Sequence, residues 1–163
     1  EDGEDHLERA PLRRGVFVHG NDAPVNSVPS AQSTPEDVAL VFNAANSNLL
    51  SVTDVDAGTG LLEVALSVTD AQLTLSGTTG LTFSIGDGSN DPTMTFTGTL
   101  VAINAALDGL ALTPSPHFVG DVTLQLATND QGNTGSGGPL SDTDTVLISV
   151  TWAPRATASS ATA

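Results

Sequence analysis

Hydrophobic and polar residues alternate with a period of two along several short stretches of this chain. Near the C-terminal end, Val146, Ile148 and Val150 occupy one side of an extended segment and less apolar positions occupy the other. Because successive side chains of a strand point to opposite faces of a sheet, this alternation predicts strands with one buried and one solvent-facing side. Turn-forming residues separate nine such runs, which are Val38–Phe42, Leu49–Thr53, Leu61–Thr69, Gln72–Leu75, Leu81–Ile85, Thr93–Thr97, Leu110–Thr113, Val122–Thr128 and Thr145–Trp152.

One segment follows the period of a helix instead. In Leu100–Leu107 the apolar side chains recur at a spacing of three and four residues, which places them on one helix face. Thr99 is a suitable N-cap and Gly109 a suitable stop. We expect a short helix that crosses between two sheets.

The order of these elements predicts an all-β fold. We expect an immunoglobulin-like Greek-key sandwich of seven to nine strands with one short helix. Residues 1–20 carry dense mixed charge and are expected to be a linker, residues 21–152 form the sandwich, and residues 153–163 are a low-complexity tail expected to be disordered. The pattern occurs once in the chain.

Charge is distributed very unevenly along the chain. The formal net charge is −15, and all four basic residues, Arg9, Arg13, Arg14 and Arg155, lie near the ends. The stretch 21–152 contains Asp and Glu but no Lys or Arg. The carboxylates of the predicted sandwich therefore repel one another unless cations from outside neutralise them. A merely soluble acidic surface is the alternative.

The same composition excludes several functions. Nucleic acids and anionic membranes both require Lys and Arg on the protein, so neither is an expected partner. The sequence has no apolar run long enough for membrane insertion and no apolar core of a signal peptide in residues 1–20. It also has no Cys, which excludes disulfides, cysteine zinc sites and thiol catalysis.

Three polar clusters are candidates for binding a cation. They are Asn21–Pro24, Asp54–Gly58 and Asn129–Asn133, each beside a predicted strand end. Loops of this kind meet at one pole of an immunoglobulin-like sandwich. Oxygen ligands of the type that Ca²⁺ prefers come from Asn21, Asp22, Asp54, Asp56, Asp130 and Asn133. The alternative is that Asn, Asp and Gly only mark turns there.

Other sites fit the residues less well. The sequence from Asp54 begins like an EF-hand loop, but its twelfth position is Ala65 where that loop needs Glu. The stretch Gly86–Asp91 fits a hairpin loop. His117, between Pro116 and Phe118, is expected to pack within a loop. Without a nucleophile elbow or an aromatic platform, we expect no enzyme activity.

Several of these motifs together resemble a known family. The motifs are NDAP at Asn21–Pro24, Pro35-Glu36-Asp37, DVDAG at Asp54–Gly58, and TNDQGN at Thr128–Asn133 followed by Pro139-Leu140. Residues 21–151 resemble a cadherin-like repeat of the sort found in tandem in large bacterial surface adhesins and RTX-type secreted proteins. The stretch from Thr95 to Asn133 is also similar to one common in those repeats.

The resemblance implies a calcium-binding structural and adhesion repeat at the cell surface or in a secreted protein. It implies Asn21, Asp22, Asp54, Asp56 and Asp130 as calcium ligands at the N-terminal pole. Glu36 would face the opposite pole, where Thr151–Pro154 keeps Ala-Pro but lacks the Asn-Asp ligands. Implied partners are neighbouring repeats of the same chain, other cell-surface proteins or glycans. The alternative function is a carbohydrate- or protein-binding accessory module of a secreted protein.

Overall fold

The chain folds as an immunoglobulin-like β-sandwich with one short helix, which confirms the predicted fold class. The computed structural model describes residues 19–155. The predicted linker and tail lie almost wholly outside the described residues, as does His6. The strands are β1 Val25–Ser27, β2 Gln32–Pro35, β3 Leu40–Phe42, β4 Ser51–Thr53, β5 Leu62–Val68, β6 Ala71–Thr74, β7 Thr82–Ile85, β8 Thr93–Gly98, β9 Leu110–Pro114, β10 Gly120–Asn129 and β11 Ser141–Thr151.

These strands form three sheets. The largest has six strands in the order β2-β11-β10-β5-β8-β7, the second has the order β3-β9-β6, and β1 pairs with β4. All described pairings are antiparallel except that of β2 with β11. Each of the nine predicted runs overlaps one strand, and the described part of the chain has eleven strands where seven to nine were expected, because the pattern did not predict β1 and β2. Their buried positions are the polar residues Asn26 and Thr34, so hydrophobic alternation gives no signal there.

The helix α1, Leu100–Leu107, forms where its spacing predicts it. The Thr99 side chain accepts a hydrogen bond from the Ala102 N–H at 3.3 Å, which caps the first turn. Gly109, with φ of 108°, lets the chain leave the helix and enter β9. Since β8 belongs to the six-stranded sheet and β9 to the three-stranded one, α1 connects the two layers.

The core lies between the sheets. Strand β5 alternates strictly, with Leu62, Val64, Leu66 and Val68 buried. From β8, Phe96 is fully buried and lies with its ring centre 5.4 Å from that of Phe83. Burial of one Leu or Phe side chain contributes about 1.5–3 kcal/mol to the free energy of folding. The buried side chains between the sheets therefore stabilise their packing.

The long strands also define two poles. Strands β10 and β11 pair from Gly120 and Val150 at one end to Asn129 and Ser141 at the other. Ten residues of strand span about 30 Å. The loop after Asn129 marks what we call the N-terminal pole, because it contacts the start of the described chain, and the Gly120 end is the opposite pole.

Candidate cation site at the N-terminal pole

The three polar clusters meet at the N-terminal pole. The Asn21 amide donates to Asp130 Oδ2 at 2.5 Å, although 109 residues separate the two. The Asp22 N–H donates to Asp56 Oδ2 at 2.9 Å. Neighbouring residues in the chain therefore connect the loop after β4 with the loop after β10, as the fold class predicts.

The loop after β10 holds the entering chain closely. The Asn21 N–H donates to the Ser136 carbonyl at 3.1 Å, and the Asn21 amide also donates to the Gly138 carbonyl at 2.9 Å. Gly135 lies so near that a Cβ atom there would be 2.4 Å from Asn21 N and Cα. The close approach explains why the position needs a glycine.

Asp130 is fully buried, and its hydrogen bonds organise that loop. Its Oδ1 accepts from the N–H groups of Gly132 and Leu140, both at 2.8 Å, while Oδ2 accepts from Asn21. A buried carboxylate with three donors is well compensated. These contacts indicate that the principal role of Asp130 is to fix the conformation of the loop. The sequence alone could not distinguish this role from that of a calcium ligand.

Three other oxygens have no such compensation. Asn21 Oδ1, Asp54 Oδ2 and Asp56 Oδ1 are buried and find no hydrogen-bond partner among residues 19–155. All three belong to residues that the sequence predicts as cation ligands. A buried acceptor without a partner costs about 1–3 kcal/mol, and more when it is charged. Each of the three oxygens is thus an acceptor that a cation or water would satisfy.

The carboxyls of Asp54 and Asp56 lie next to each other, and each shifts the pKa of the other. Burial raises the pKa of Asp54, and contact of its carboxyl with that of Asp56 raises it further. The hydrogen bond from the Asp22 N–H lowers the pKa of Asp56, and so does the adjacent Asp54 carboxyl. Within the loop, Asp54 Oδ1 accepts from the Asp56 N–H at 3.1 Å. Two carboxyls held this closely favour either a shared proton or a bound cation.

The other predicted residues occupy different places. The Asp22 side chain is exposed, so it joins the site through its backbone. The Asn133 amide donates to the Leu61 carbonyl, which ties the loop to the start of β5. Glu36 lies at the opposite pole, where its N–H donates to the Thr151 carbonyl at 2.8 Å. Gly86–Asp91 is a hairpin loop between β7 and β8, as predicted.

The donor set fits Ca²⁺ better than a transition metal. Within the described residues, no three acidic or imidazole ligand atoms at this pole lie within 4.8 Å of one another. A cation here would depend on the Asp54–Asp56 pair together with amide, carbonyl and water oxygens. All of these are hard oxygen ligands, and a flexible set of them is what Ca²⁺ accepts.

No family model matches the chain, and none of the curated proteins compared with it matches. Several solved structures resemble it distantly, among them the following two. One is a cohesin module from the family 33 glycoside hydrolase of Clostridium perfringens ATCC13124, at 11% identity and a TM-score of 0.44, covering 80% of this chain and 98% of that one.

The other structure is a nucleoside hydrolase-related protein from Saccharophagus degradans that is associated with carbohydrate metabolism. It has 15% identity and a TM-score of 0.36, and the match covers 80% of this chain and 26% of that one. Likenesses at this distance carry no argument about function. The resemblance to cadherin-like repeats stays a prediction. Among the described residues, no helix has both the length and the apolar character to cross a membrane.

Proposed function

We propose that this chain is a calcium-stabilised, non-catalytic β-sandwich module of a cell-surface or secreted protein. The observation that carries the proposal is the group of buried, unpartnered oxygens on Asn21, Asp54 and Asp56. Ca²⁺ would satisfy these oxygens and offset the repulsion between the two carboxyls. The residues on the two sides of the site are far apart in sequence, so a bound ion would also fasten the entering chain to the sandwich.

Adhesion follows from that mechanical role. An ion held between residues 21–22 and the two loops stiffens the point at which the chain enters the domain. A neighbouring repeat attached there would have a fixed orientation, which is how a tandem array becomes a rod. We therefore propose a structural and adhesion repeat whose partners are neighbouring repeats, other cell-surface proteins or glycans.

The alternative is a carbohydrate- or protein-binding accessory module. Trp152 is 69% exposed and lines a cavity at the opposite pole, whereas the described Phe side chains are buried or partly buried. A single exposed aromatic side chain is a small platform for sugar stacking. The acidic N-terminal pole therefore supports the first function more strongly.

Calorimetric titration with CaCl₂ tests the calcium site. We expect saturable binding in the range of about 0.1–1 mM that is typical of extracellular modules. Asp54→Ala should abolish it, because the substitution removes both oxygens of one carboxyl. Saturable binding that is unchanged in Asp54→Ala would contradict the site, and no binding to the wild type would leave an acidic sandwich whose Asp and Asn residues only mark turns.

Beads coated with the chain test adhesion separately. The adhesion function predicts that the beads cluster in calcium and disperse on addition of chelator. Calcium binding without clustering, combined with retention of the chain on a glycan-coated surface, would favour the accessory-module function instead.

A further inference from the structure

A second group of ligands lies at the opposite pole. Glu36 follows β2 directly, and the parallel pairing of β2 with β11 places it beside the end of β11. Asp37 comes next, and His117 lies in the loop between β9 and β10. One ligand atom from each of the three side chains lies within 4.8 Å of the other two. Among the described residues, this is the group with that property.

The prediction that His117 packs within its loop is wrong. Its side chain is 76% exposed, and its Nδ1 lies 3.3 Å from Asp37 Oδ2. The Asp37 carboxylate also accepts the His117 N–H through Oδ1 at 2.9 Å. The backbone contact fixes the two residues side by side and leaves the imidazole at the rim of a cavity of about 490 Å³.

Glu36 supplies an independent indication of a ligand. It is only 9% exposed, yet it lines the same cavity. Its Oε1 accepts one long hydrogen bond of 3.3 Å from the Ala153 N–H, and its Oε2 has no hydrogen-bond partner in residues 19–155. Arg155 also lines the cavity but forms no ion pair with Glu36 within 4.0 Å. A carboxylate that is about nine-tenths buried and accepts only one long hydrogen bond favours a positive partner.

The donor chemistry differs from that of the N-terminal pole. Two carboxylates and one imidazole form a mixed set, and imidazole is a ligand of Zn²⁺, Cu²⁺, Ni²⁺ and Fe²⁺ and not of Ca²⁺. The distance of 3.3 Å between His117 Nδ1 and Asp37 Oδ2 is close to the ~3.4 Å separating two ligands of a tetrahedral ion bound at about 2.1 Å.

We propose that Glu36, Asp37 and His117 bind a divalent transition-metal ion of the Zn²⁺ class. Two carboxylates and a neutral imidazole balance the charge of one such ion. The three protein ligands leave further coordination positions facing the cavity, which is open to water or to a ligand from a neighbouring molecule. The chain would then carry chemically different ions at its two poles.

The test is a calorimetric titration with ZnCl₂ in the presence of saturating calcium. Wild type should bind one Zn²⁺ ion. His117→Asn, Asp37→Asn and Glu36→Gln should each weaken binding by at least about 10–100-fold, the range seen when even an indirect metal partner is lost. Asn tolerates the left-handed backbone of positions 37 and 117, where φ is 60° and 59°, so the fold should survive. The Glu36→Gln variant keeps an acceptor oxygen for the Ala153 N–H.

Two controls separate this site from the rest of the chain. The double variant His6→Asn, His19→Asn removes the other two imidazoles and should bind Zn²⁺ like the wild type. Asp54→Asn, at the N-terminal pole, should also keep Zn²⁺ binding. The test of the Zn²⁺ site therefore does not depend on whether the N-terminal pole binds calcium.

Trp152 provides a local signal. It is the one Trp of the chain and lines the same cavity. Co²⁺ should quench its fluorescence in the wild type and not in His117→Asn. The proposal is overturned if the wild type does not bind Zn²⁺, if all three substitutions leave the affinity unchanged, or if the double His variant loses the binding.

Discussion

At the scale of single residues, identical residue types at the N-terminal pole have different roles. Asp130 is buried with both oxygens engaged by donors, whereas Asp54 Oδ2 and Asp56 Oδ1 are buried without one. Both roles look the same in sequence, as an Asp after a strand. They differ because two N–H groups of its own loop and the distant Asn21 amide together engage both oxygens of Asp130. Asp54 and Asp56, in contrast, each have a donor for only one oxygen.

Asp54→Asn separates ligation from folding. The Asn keeps an oxygen for the Asp56 N–H and removes the charge that Asp56 opposes. In chelator we expect a melting temperature equal to or above that of the wild type, because a repulsion is relieved. In calcium we expect the variant to melt below the wild type, because a ligand is lost.

The matched control is Asp121→Asn. Asp121 is exposed at the far end of β10, so this variant removes the same charge away from the site. It should gain as much stability from calcium as the wild type does. An Asp54→Asn variant with a full calcium response would contradict the assignment of Asp54 as a ligand.

Among the secondary-structure elements, one side chain of α1 forms hydrogen bonds with the backbone of β4. Strand β4 pairs with β1. Asn104 of α1 accepts from the Val52 N–H and donates to the Val52 carbonyl, both at 2.8 Å. This amide therefore occupies the position that a further strand would take beside β4, and it helps to hold the residues just before Asp54.

Asn104→Ala should cost about 1–3 kcal/mol of unfolding free energy. The physical reason is that two backbone groups of the buried Val52 lose their partners. Urea denaturation measures the effect. Val101→Ala is the control, since Val101 lies on the same helix and is 80% exposed, and it should change stability by less than about 0.5 kcal/mol. Equal stabilities for the two variants would show that the Asn104 hydrogen bonds contribute nothing.

At the scale of the whole molecule, the sandwich carries negative charge without internal compensation. Residues 21–152 contain fourteen carboxylates and no Lys or Arg. The one ion pair among the described residues joins Asp37 with His117, and His117 is charged only when protonated. Cations from solution are therefore the available source of compensation, and specific sites use them more effectively than diffuse screening does.

Calcium should stabilise the chain more than sodium chloride does. With free calcium about ten-fold above the dissociation constant, one site adds RT ln 11, or about 1.4 kcal/mol. For a domain of this size, that raises the melting temperature by about 4–6 °C. Differential scanning calorimetry in a few millimolar CaCl₂, compared with NaCl of equal ionic strength, measures the difference. Equal melting temperatures in the two salts would indicate screening alone.

Most strands and the helix could be predicted from the sequence, because each depends on residues that are close together in the chain. Runs of apolar and β-prone residues predicted nine of the eleven described strands, and the Thr99 cap with apolar spacing predicted α1. Their order gave the sandwich class, and the class in turn predicted that residues 21–22, 54–56 and 130 would meet. The cation-free composition of the sandwich was also visible without a structure.

The sequence could not show which carboxylate and amide oxygens have hydrogen-bond donors and which have none, because this depends on the folded arrangement. Asn21 forms a hydrogen bond with Asp130, which is 109 residues away in the sequence, and Asp37 forms one with His117, which is 80 residues away. The parallel pairing of β2 with β11, which the pattern did not predict, puts Glu36 into the cavity that His117 borders. Burial and hydrogen bonding are properties of neighbours brought together by folding, and one-dimensional spacing does not contain those distances.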